Sequence, residues 1–178
     1  FKFEDISVKS KVEGTKTWST GVVMVDINAD GLLDIYVCNA GSETGTNQQN
    51  ELFINNGNLT FTEKAAEYNL ADTGITTHAA FFDYDKDGDL DCFLLNHAVH
   101  SVRSFDNVKM RNEIDPEAGD FLFKNENGHF VDVSAKAGIY KAPMGYGLGL
   151  AVADINNDGW LDMYISNDFH EDDYYYVN

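Results

Sequence analysis

The sequence predicts an all-β protein built from repeated four-stranded antiparallel sheets, and three observations support this fold class. A nine-residue acidic pattern, D-x-[DN]-x-D-G-x-x-D, occurs three times, beginning at Asp26, Asp83 and Asp154. Short runs of apolar, β-branched and aromatic residues flank every copy, as is typical of strands. A second pair of such runs, with a Gly-containing turn between them, follows the first and second copies, and the first run of such a pair follows the third copy.

Each acidic pattern is typical of a loop that folds around Ca²⁺, because a hard cation prefers six to eight oxygen ligands. The predicted ligands include a backbone carbonyl at position seven. They are Asp26, Asn28, Asp30, Leu32 and Asp34; Asp83, Asp85, Asp87, Asp89 and Asp91; and Asp154, Asn156, Asp158, Trp160 and Asp162. We therefore expect three structural Ca²⁺ ions, the alternative being solvated Asp-Gly turns without metal. The second loop, with Asp85 in place of Asn and with the additional Asp89, is expected to bind most tightly.

The loops are not EF-hands, since that motif requires Glu at position twelve and helices on both sides. Position twelve is Val37, Leu94 or Ile165 here. The flanking runs predict a strand A before each loop, at Gly21–Val25, His78–Phe82 and Gly149–Ala153. They predict a strand B after it, at Ile35–Cys38, Cys92–Leu95 and Met163–Ser166. Each loop is therefore predicted to be the turn of a β-hairpin.

The second hairpin completes a four-stranded repeat. Strand C is predicted at Glu51–Asn55, Phe121–Asn125 and Tyr174–Asn178, and strand D at Leu59–Glu63 and His129–Val133. Residues 1–7 match the strand D of a preceding repeat. Together with four strands in each of the first two repeats and three in the third, they give twelve predicted strands. Successive loops begin 57 and then 71 residues apart, and one four-stranded sheet per repeat is typical of a β-propeller.

The predicted organisation is a partial β-propeller over residues 1–178. Residues 1–7 would be the last strand of a preceding blade, followed by a first full blade at 18–65 and a second at 77–134, which carries a long insertion at 97–120. The third blade, at 145–178, is incomplete. Because closed propellers typically have about 4–8 blades, we expect the chain to be a fragment of a larger propeller.

Composition limits the function classes. The net charge of −18 argues against nucleic acid as a partner, and no apolar run has the roughly 18–20 residues needed to cross a membrane. Cys38 and Cys92 lie on equivalent B strands at offsets of different parity, so their side chains should point in opposite directions. We therefore expect buried free thiols rather than a disulfide.

These residues together resemble the FG-GAP/VCBS-type calcium-binding repeats, and most of all the ASPIC/UnbV (cartilage acidic protein) group. The resemblance is carried by the three loops, by the Phe-x-Asp-Ile/Val-Ser segments beginning at Phe3 and Phe130, and by residues 166–173. It implies a propeller that acts in adhesion or binding rather than catalysis. It also implies an extracellular, cell-surface or periplasmic location.

A partner is expected on the side of each sheet opposite the acidic loops, where the B–C connections lie. The longest of these connections, in the second repeat, contains the only two arginines of the chain. The candidate residues are His97, His100, Arg103, Lys109, Arg111 and His170. Arg103, Lys109 and Arg111 could capture an acidic glycan or a protein carboxylate, or they could tie the loop to the acidic protein through ion pairs. The histidines could bind a transition metal or simply pack, and Tyr174–Tyr176 could stack on sugars or fill the gap between blades.

The predicted function is a calcium-stabilised, non-catalytic module that binds an extracellular protein or glycan. The alternative is a propeller domain of a polysaccharide-acting lyase or hydrolase. The sequence contains no Gly-x-Ser-x-Gly, His-Glu-x-x-His or P-loop motif that would favour catalysis. A purely structural spacer is a third possibility.

Overall fold

Three antiparallel sheets form the computed structural model, which describes residues 1–15, 18–40, 49–97, 119–141, 143–168 and 171–178. The first sheet contains β1 (Ser19–Val25), β2 (Asp34–Asn39), β3 (Glu51–Asn55) and β4 (Phe61–Glu63). The second contains β5 (Ile75–Phe82), β6 (Asp91–His97), β7 (Phe121–Asn125) and β8 (Phe130–Asp132). The third contains β9 (Gly147–Ala153), β10 (Asp162–Asn167) and β11 (Tyr174–Tyr176). Strands adjacent in sequence are adjacent in each sheet, which confirms the all-β fold class.

The acidic loops are the A–B turns of the three sheets, as predicted. The strands on either side of the loops are paired through Val25 with Asp34, Phe82 with Asp91, and Ala153 with Asp162. The glycine at position six has a positive φ in every loop, 86° at Gly31, 100° at Gly88 and 90° at Gly159. A residue with a Cβ is strained in that conformation, which explains why the pattern carries glycine there.

Three one-turn helices, which the sequence interpretation missed, accompany the sheets: α1 (Ser7–Ser10), α2 (Ala65–Tyr68) and α3 (Ser134–Ala137). In two of them an Asp-x-Ser turn precedes the helix. Asp5 accepts the backbone N–H of Ser7 at 3.0 Å, and Asp132 accepts that of Ser134 at 2.8 Å. Such short helices lack the apolar periodicity that identifies longer ones.

The predicted strand at Phe1–Ser7 is wrong for the described structure. Residues 1–6 form no strand, and Ser7 begins α1. A strand needs a neighbour that accepts and donates its backbone hydrogen bonds, and within the described part of the chain no strand is paired with this segment. The described strands therefore number eleven rather than twelve, and the division of the chain into blades stays a prediction.

The first strands of successive sheets lie against one another, β1 against β5 and β5 against β9. The Thr20 hydroxyl donates to the carbonyl oxygen of Thr76, and the Thr77 hydroxyl donates to that of Gly147 at 2.7 Å. A Cβ at Gly21 would lie 2.6 Å from the Thr77 carbonyl oxygen. Hydrogen bonds and close backbone approach thus connect the three sheets through their first strands.

Two apolar clusters fill the gaps between the sheets. The first contains Tyr36 and Leu52 of the first sheet with Leu94 of the second, and the second contains Phe93 of the second sheet with Ile165 of the third. Because β6 is buried on both faces, its residues form a continuous apolar run rather than an alternating one.

Cys38 and Cys92 are both buried free thiols, as expected. The predicted opposite orientation does not keep the two thiols apart, however. The two side chains do lie on opposite faces of equivalent strands, but opposite faces of successive sheets meet, and both residues belong to the first apolar cluster. Burial raises the pKa of the Cys38 thiol to about 12.

Candidate metal centre

The second acidic loop brings three carboxylates together. Carboxylate oxygens of Asp83, Asp85 and Asp91 all lie within 4.8 Å of one another. In addition, Asp85 Oδ1 and Asp89 Oδ1 are buried without a hydrogen-bond partner. Buried acceptors are rarely left without a donor. This arrangement therefore fits a hard cation that the oxygens of the loop would surround.

The ninth-position acid is buried and accepts two backbone hydrogen bonds in every loop. Asp34, Asp91 and Asp162 are fully buried. One oxygen accepts the backbone N–H of position two, at 3.1 Å from Ile27, 3.1 Å from Tyr84 and 3.0 Å from Ile155. The other accepts a backbone N–H at the end of strand C, at 2.8 Å from Asn55, 2.8 Å from Asn125 and 3.0 Å from Asn178. The acid thus joins its loop to strand C.

Burial also changes the proton affinity of Asp91 and Asp34. Desolvation raises the pKa of Asp91 to about 6, although the N–H groups of Asn125 and Tyr84 act in the opposite direction. The pKa of Asp34 is raised for the same reason. A carboxylate that is costly to ionise in the metal-free loop gains most from a nearby cation.

The first-position acid caps the turn with the same geometry in all three loops. Asp26 accepts the N–H groups of Asp30 at 3.0 Å and Gly31 at 2.9 Å. Asp83 and Asp154 make the corresponding pairs of bonds with the fifth and sixth residues of their own loops. The fifth acid in turn accepts the N–H of position seven, as Asp30 does from Leu32 and Asp158 from Trp160. Backbone amides therefore orient the carboxylates.

The loops differ at position three and in their neighbours. Asn28 and Asn156 donate side-chain hydrogen bonds to the fifth-position acids Asp30 and Asp158, at 3.0 and 2.8 Å. In the second loop this residue is Asp85, which instead contacts the ammonium group of Lys124. The ammonium group of Lys124, on β7, therefore lies beside the carboxylates of the second loop.

Two kinds of residue at these sites were missed by the sequence interpretation. The side-chain amides of Asn55 and Asn125 donate to the carbonyl oxygens of Leu33 and Leu90, at position eight of their loops, at 3.0 and 3.2 Å. The recurrence of Asn at the same place in every strand C was the available signal. Lys124 was the other missed residue, detectable as a charge at a strand-C position that is otherwise apolar.

Of the predicted recognition residues, the structure describes His97 at the end of β6. His97 packs edge-on against Tyr146, with ring centroids 4.5 Å apart, and burial lowers its pKa. Its environment is that of a packed histidine. The other candidates, His100, Arg103, Lys109, Arg111 and His170, lie outside the described residues.

The side chains of Tyr174–Tyr176 point to alternate faces of the sheet, as in any strand. Tyr174 and Tyr176 pack against the second apolar cluster, whereas Tyr175 is exposed beside Tyr164. Two of the three rings therefore fill the gap between sheets rather than form a stacking platform.

Comparison with known proteins supports the family resemblance that the acidic loops indicate. Residues 26–94 match the FG-GAP-like repeat family. Over 170 residues, or 93% of the chain, the sequence is 29% identical to cartilage acidic protein 1 of Xenopus tropicalis, of which it covers 23%. The chain thus spans less than a quarter of the length of this relative. Among the described residues, no helix is long and apolar enough to cross a membrane. The resemblance inferred from the motifs is confirmed: residues 26–94 are similar to FG-GAP-like repeats, and the chain is similar to cartilage acidic protein 1 over almost its whole length.

Proposed function

We propose that this chain is part of an extracellular, calcium-stabilised β-propeller that binds a protein or glycan and carries out no catalysis. The observation that supports this best is the recurrence of one hydrogen-bonded acidic loop in all three sheets. The similarity to FG-GAP-like repeats and to cartilage acidic protein 1 supports the extracellular assignment.

Calcium would be held by the side chains at positions one, three, five and nine of each loop and by the carbonyl at position seven. The ion would neutralise carboxylates that repel one another in the folded loop. Because the unfolded chain does not hold these carboxylates together, calcium binding would stabilise the folded state. The acids of this surface are therefore assigned to the scaffold rather than to recognition of a partner.

The propeller is supported by how the sheets meet and by their outer faces. The first strands of the three sheets are neighbours, as in consecutive blades. The outer face of the first sheet exposes Val22 and Met24, each to 60%, and that of the third exposes Tyr164 and Tyr175. In a propeller these faces would be covered by neighbouring blades.

The recognition surface would lie opposite the calcium loops, at the B–C connections. Arg103, Lys109 and Arg111 would there attract an anionic partner to a chain whose net charge is −18. Long connections on a rigid sheet scaffold often carry binding residues. An acidic polysaccharide is the simplest probe of this assignment.

Polygalacturonate tests binding and catalysis together. We expect the protein to bind the immobilised polymer, and the triple variant R103A/K109A/R111A to lose that binding. The control variant K2A/K9A/K11A removes as many charges from the N-terminal segment and should bind normally. Cleavage of the polymer by the wild-type protein, lost in the triple variant, would favour the alternative of a polysaccharide-acting enzyme. Equal binding by all three proteins would contradict the proposed surface.

A further inference from the structure

We propose that Lys124 is a tethered counter-ion of the second acidic loop, which holds this loop together without metal and lowers its affinity for Ca²⁺. The inference rests on the proposed calcium sites and concerns how they differ. A side chain of strand C would thus set the Ca²⁺ affinity of one loop.

Lys124 lies at the middle of the pairing between β7 and β8, opposite Val131. From there its ammonium group contacts Asp85 Oδ2 and lies 2.7 Å from Asp87 Oδ2. The side chains of Lys124 and Asp85 are 26% and 27% exposed, so water screens their contact incompletely, whereas Asp87 is more exposed, at 37%. The contact with Asp85 and Asp87 also raises the pKa of Lys124.

The other two loops have no such cation at the equivalent place. The hydrogen bond between the ninth acid and the last Asn of strand C recurs in all three repeats and aligns them with one another. The residue before that Asn is Lys124 in the second repeat, Ile54 in the first and Val177 in the third. Lys124 is thus specific to the loop that has the most carboxylates.

The charge of the second loop explains what this lysine could do. Its nine residues contain five acids, against three in each of the other loops. Without metal, five carboxylates in one turn repel one another, and an ammonium group between two of them reduces that repulsion. Calcium must then displace the ammonium group or bind beside it. Either process makes binding weaker than five free carboxylates would give.

The proposal changes the prediction that the second loop binds most tightly. The additional Asp85 and Asp89 favour the cation, and the buried, unpartnered oxygens of both residues remain available to it. Lys124 acts in the opposite direction, because it already occupies the second oxygen of Asp85. The affinity of this loop is therefore set by the difference between the two effects.

The test isolates the second loop. In the background D30N/D158N, the first and third loops each lose an exposed acid, while the Asn oxygen can still accept the backbone N–H of position seven. Calcium binding is measured by titration calorimetry with and without K124M, a change that removes the charge and keeps the length. We expect K124M to bind about tenfold more tightly, because a nearby, partly screened unit charge has an effect of this order. We also expect K124M to melt at a lower temperature than its parent in chelator.

Two matched variants complete the experiment. K136M removes an exposed lysine from α3 and should change neither quantity. V177K, in a D30N/D87N background that leaves the third loop intact, introduces the lysine at the equivalent exposed position and should weaken calcium binding.

The proposal is overturned if K124M binds calcium equally or more weakly, or if its metal-free melting temperature does not fall. If neither the wild-type protein nor K124M binds calcium, the proposed calcium sites fail as well. Normal calcium binding that is insensitive to Lys124 would refute the tuning role alone.

Discussion

The carboxylate of Asp91 accepts the backbone N–H of Asn125 at 2.8 Å, and its other oxygen accepts that of Tyr84 at 3.1 Å. One buried side chain therefore satisfies two backbone donors, one in the acidic loop and one in strand C. The same two bonds recur at Asp34 and Asp162. The ninth acid of each loop is thus part of the fold of the sheet, independently of any ion.

We predict that D91A destabilises the protein even in chelator, because it leaves both N–H groups without an acceptor. The expected loss is about 3 kcal/mol of unfolding free energy, since each unsatisfied buried group costs roughly 1–3 kcal/mol. Urea unfolding of the metal-free protein measures it. The control E126Q, an exposed change on the same surface, should remain within about 0.5 kcal/mol of the wild type. A metal-free D91A as stable as the wild type would show that the acid serves only the ion.

Metal-free stability should depend on pH through Asp120. Burial raises the pKa of this carboxyl to about 7, above its value of about 3.9 in the unfolded chain. The folded state therefore holds the proton more tightly. The contribution of this bound proton to the stability of the folded state is complete below the unfolded pKa of Asp120 and is lost as pH rises through about 7.

The variant D120N should remove this part of the pH dependence. Asn50 is its counterpart in the first sheet, where the Asn side chain accepts the N–H of Asn39 at 2.8 Å; Asp120 accepts that of Asn96 at 2.9 Å. We expect D120N to be more stable than the wild type at about pH 8 and to lose less stability between about pH 5 and pH 8. Urea unfolding in chelator at the two pH values is the measurement. Equal pH dependence in both proteins would contradict the assignment.

Thr77 contributes a hydrogen bond to the contact between the second and third sheets. Its hydroxyl donates to the carbonyl oxygen of Gly147 at 2.7 Å, so T77V should cost about 1 kcal/mol. Hydrogen exchange in β9 should become faster, since the bond connects this strand to β5. The matched change T62V, at an exposed position of β4, should alter neither quantity. A T77V variant with unchanged exchange in β9 would indicate that packing alone holds the sheets together.

Trp160 should report calcium binding at the third loop. Its indole ring lies 3.9 Å from Lys86 Nζ, and its backbone N–H is bonded to Asp158. An ion in this loop would change the position of the ring relative to Lys86 and hence its fluorescence. We expect the change in W18F, where Trp160 is the remaining tryptophan, and expect D154N in that background to abolish it. A calcium-dependent signal that persists in W160F and is lost in W18F would contradict this prediction.

The sequence was sufficient to predict the sheets and the loops because their signals are local. Short apolar and aromatic runs mark the ends of β5 and β9 that lead into the loops, and Gly at position six marks a turn with positive φ, so Asp83 and Gly88 could be placed without coordinates. The strand predicted at residues 1–7 failed because pairing depends on a neighbouring strand, which the local pattern does not reveal.

The parts of the site that could not be predicted depend on tertiary contacts. The contact of Lys124 with Asp85 joins residues 39 positions apart, and nothing in the spacing indicates it. The shared environment of Cys38 and Cys92 was missed for a related reason. Strand parity gives the face of a sheet on which a side chain lies, but not which faces of successive sheets meet.

Thermal unfolding in calcium and in chelator, together with the calcium stoichiometry from calorimetry, tests the central claim most directly. We predict three bound ions per chain and, at calcium concentrations far above the dissociation constants, a melting temperature higher by at least about 10 °C than in chelator. Magnesium at the same concentration should have a smaller effect, because it requires a more regular octahedral site. An unchanged melting temperature with no measurable calcium binding would contradict the account.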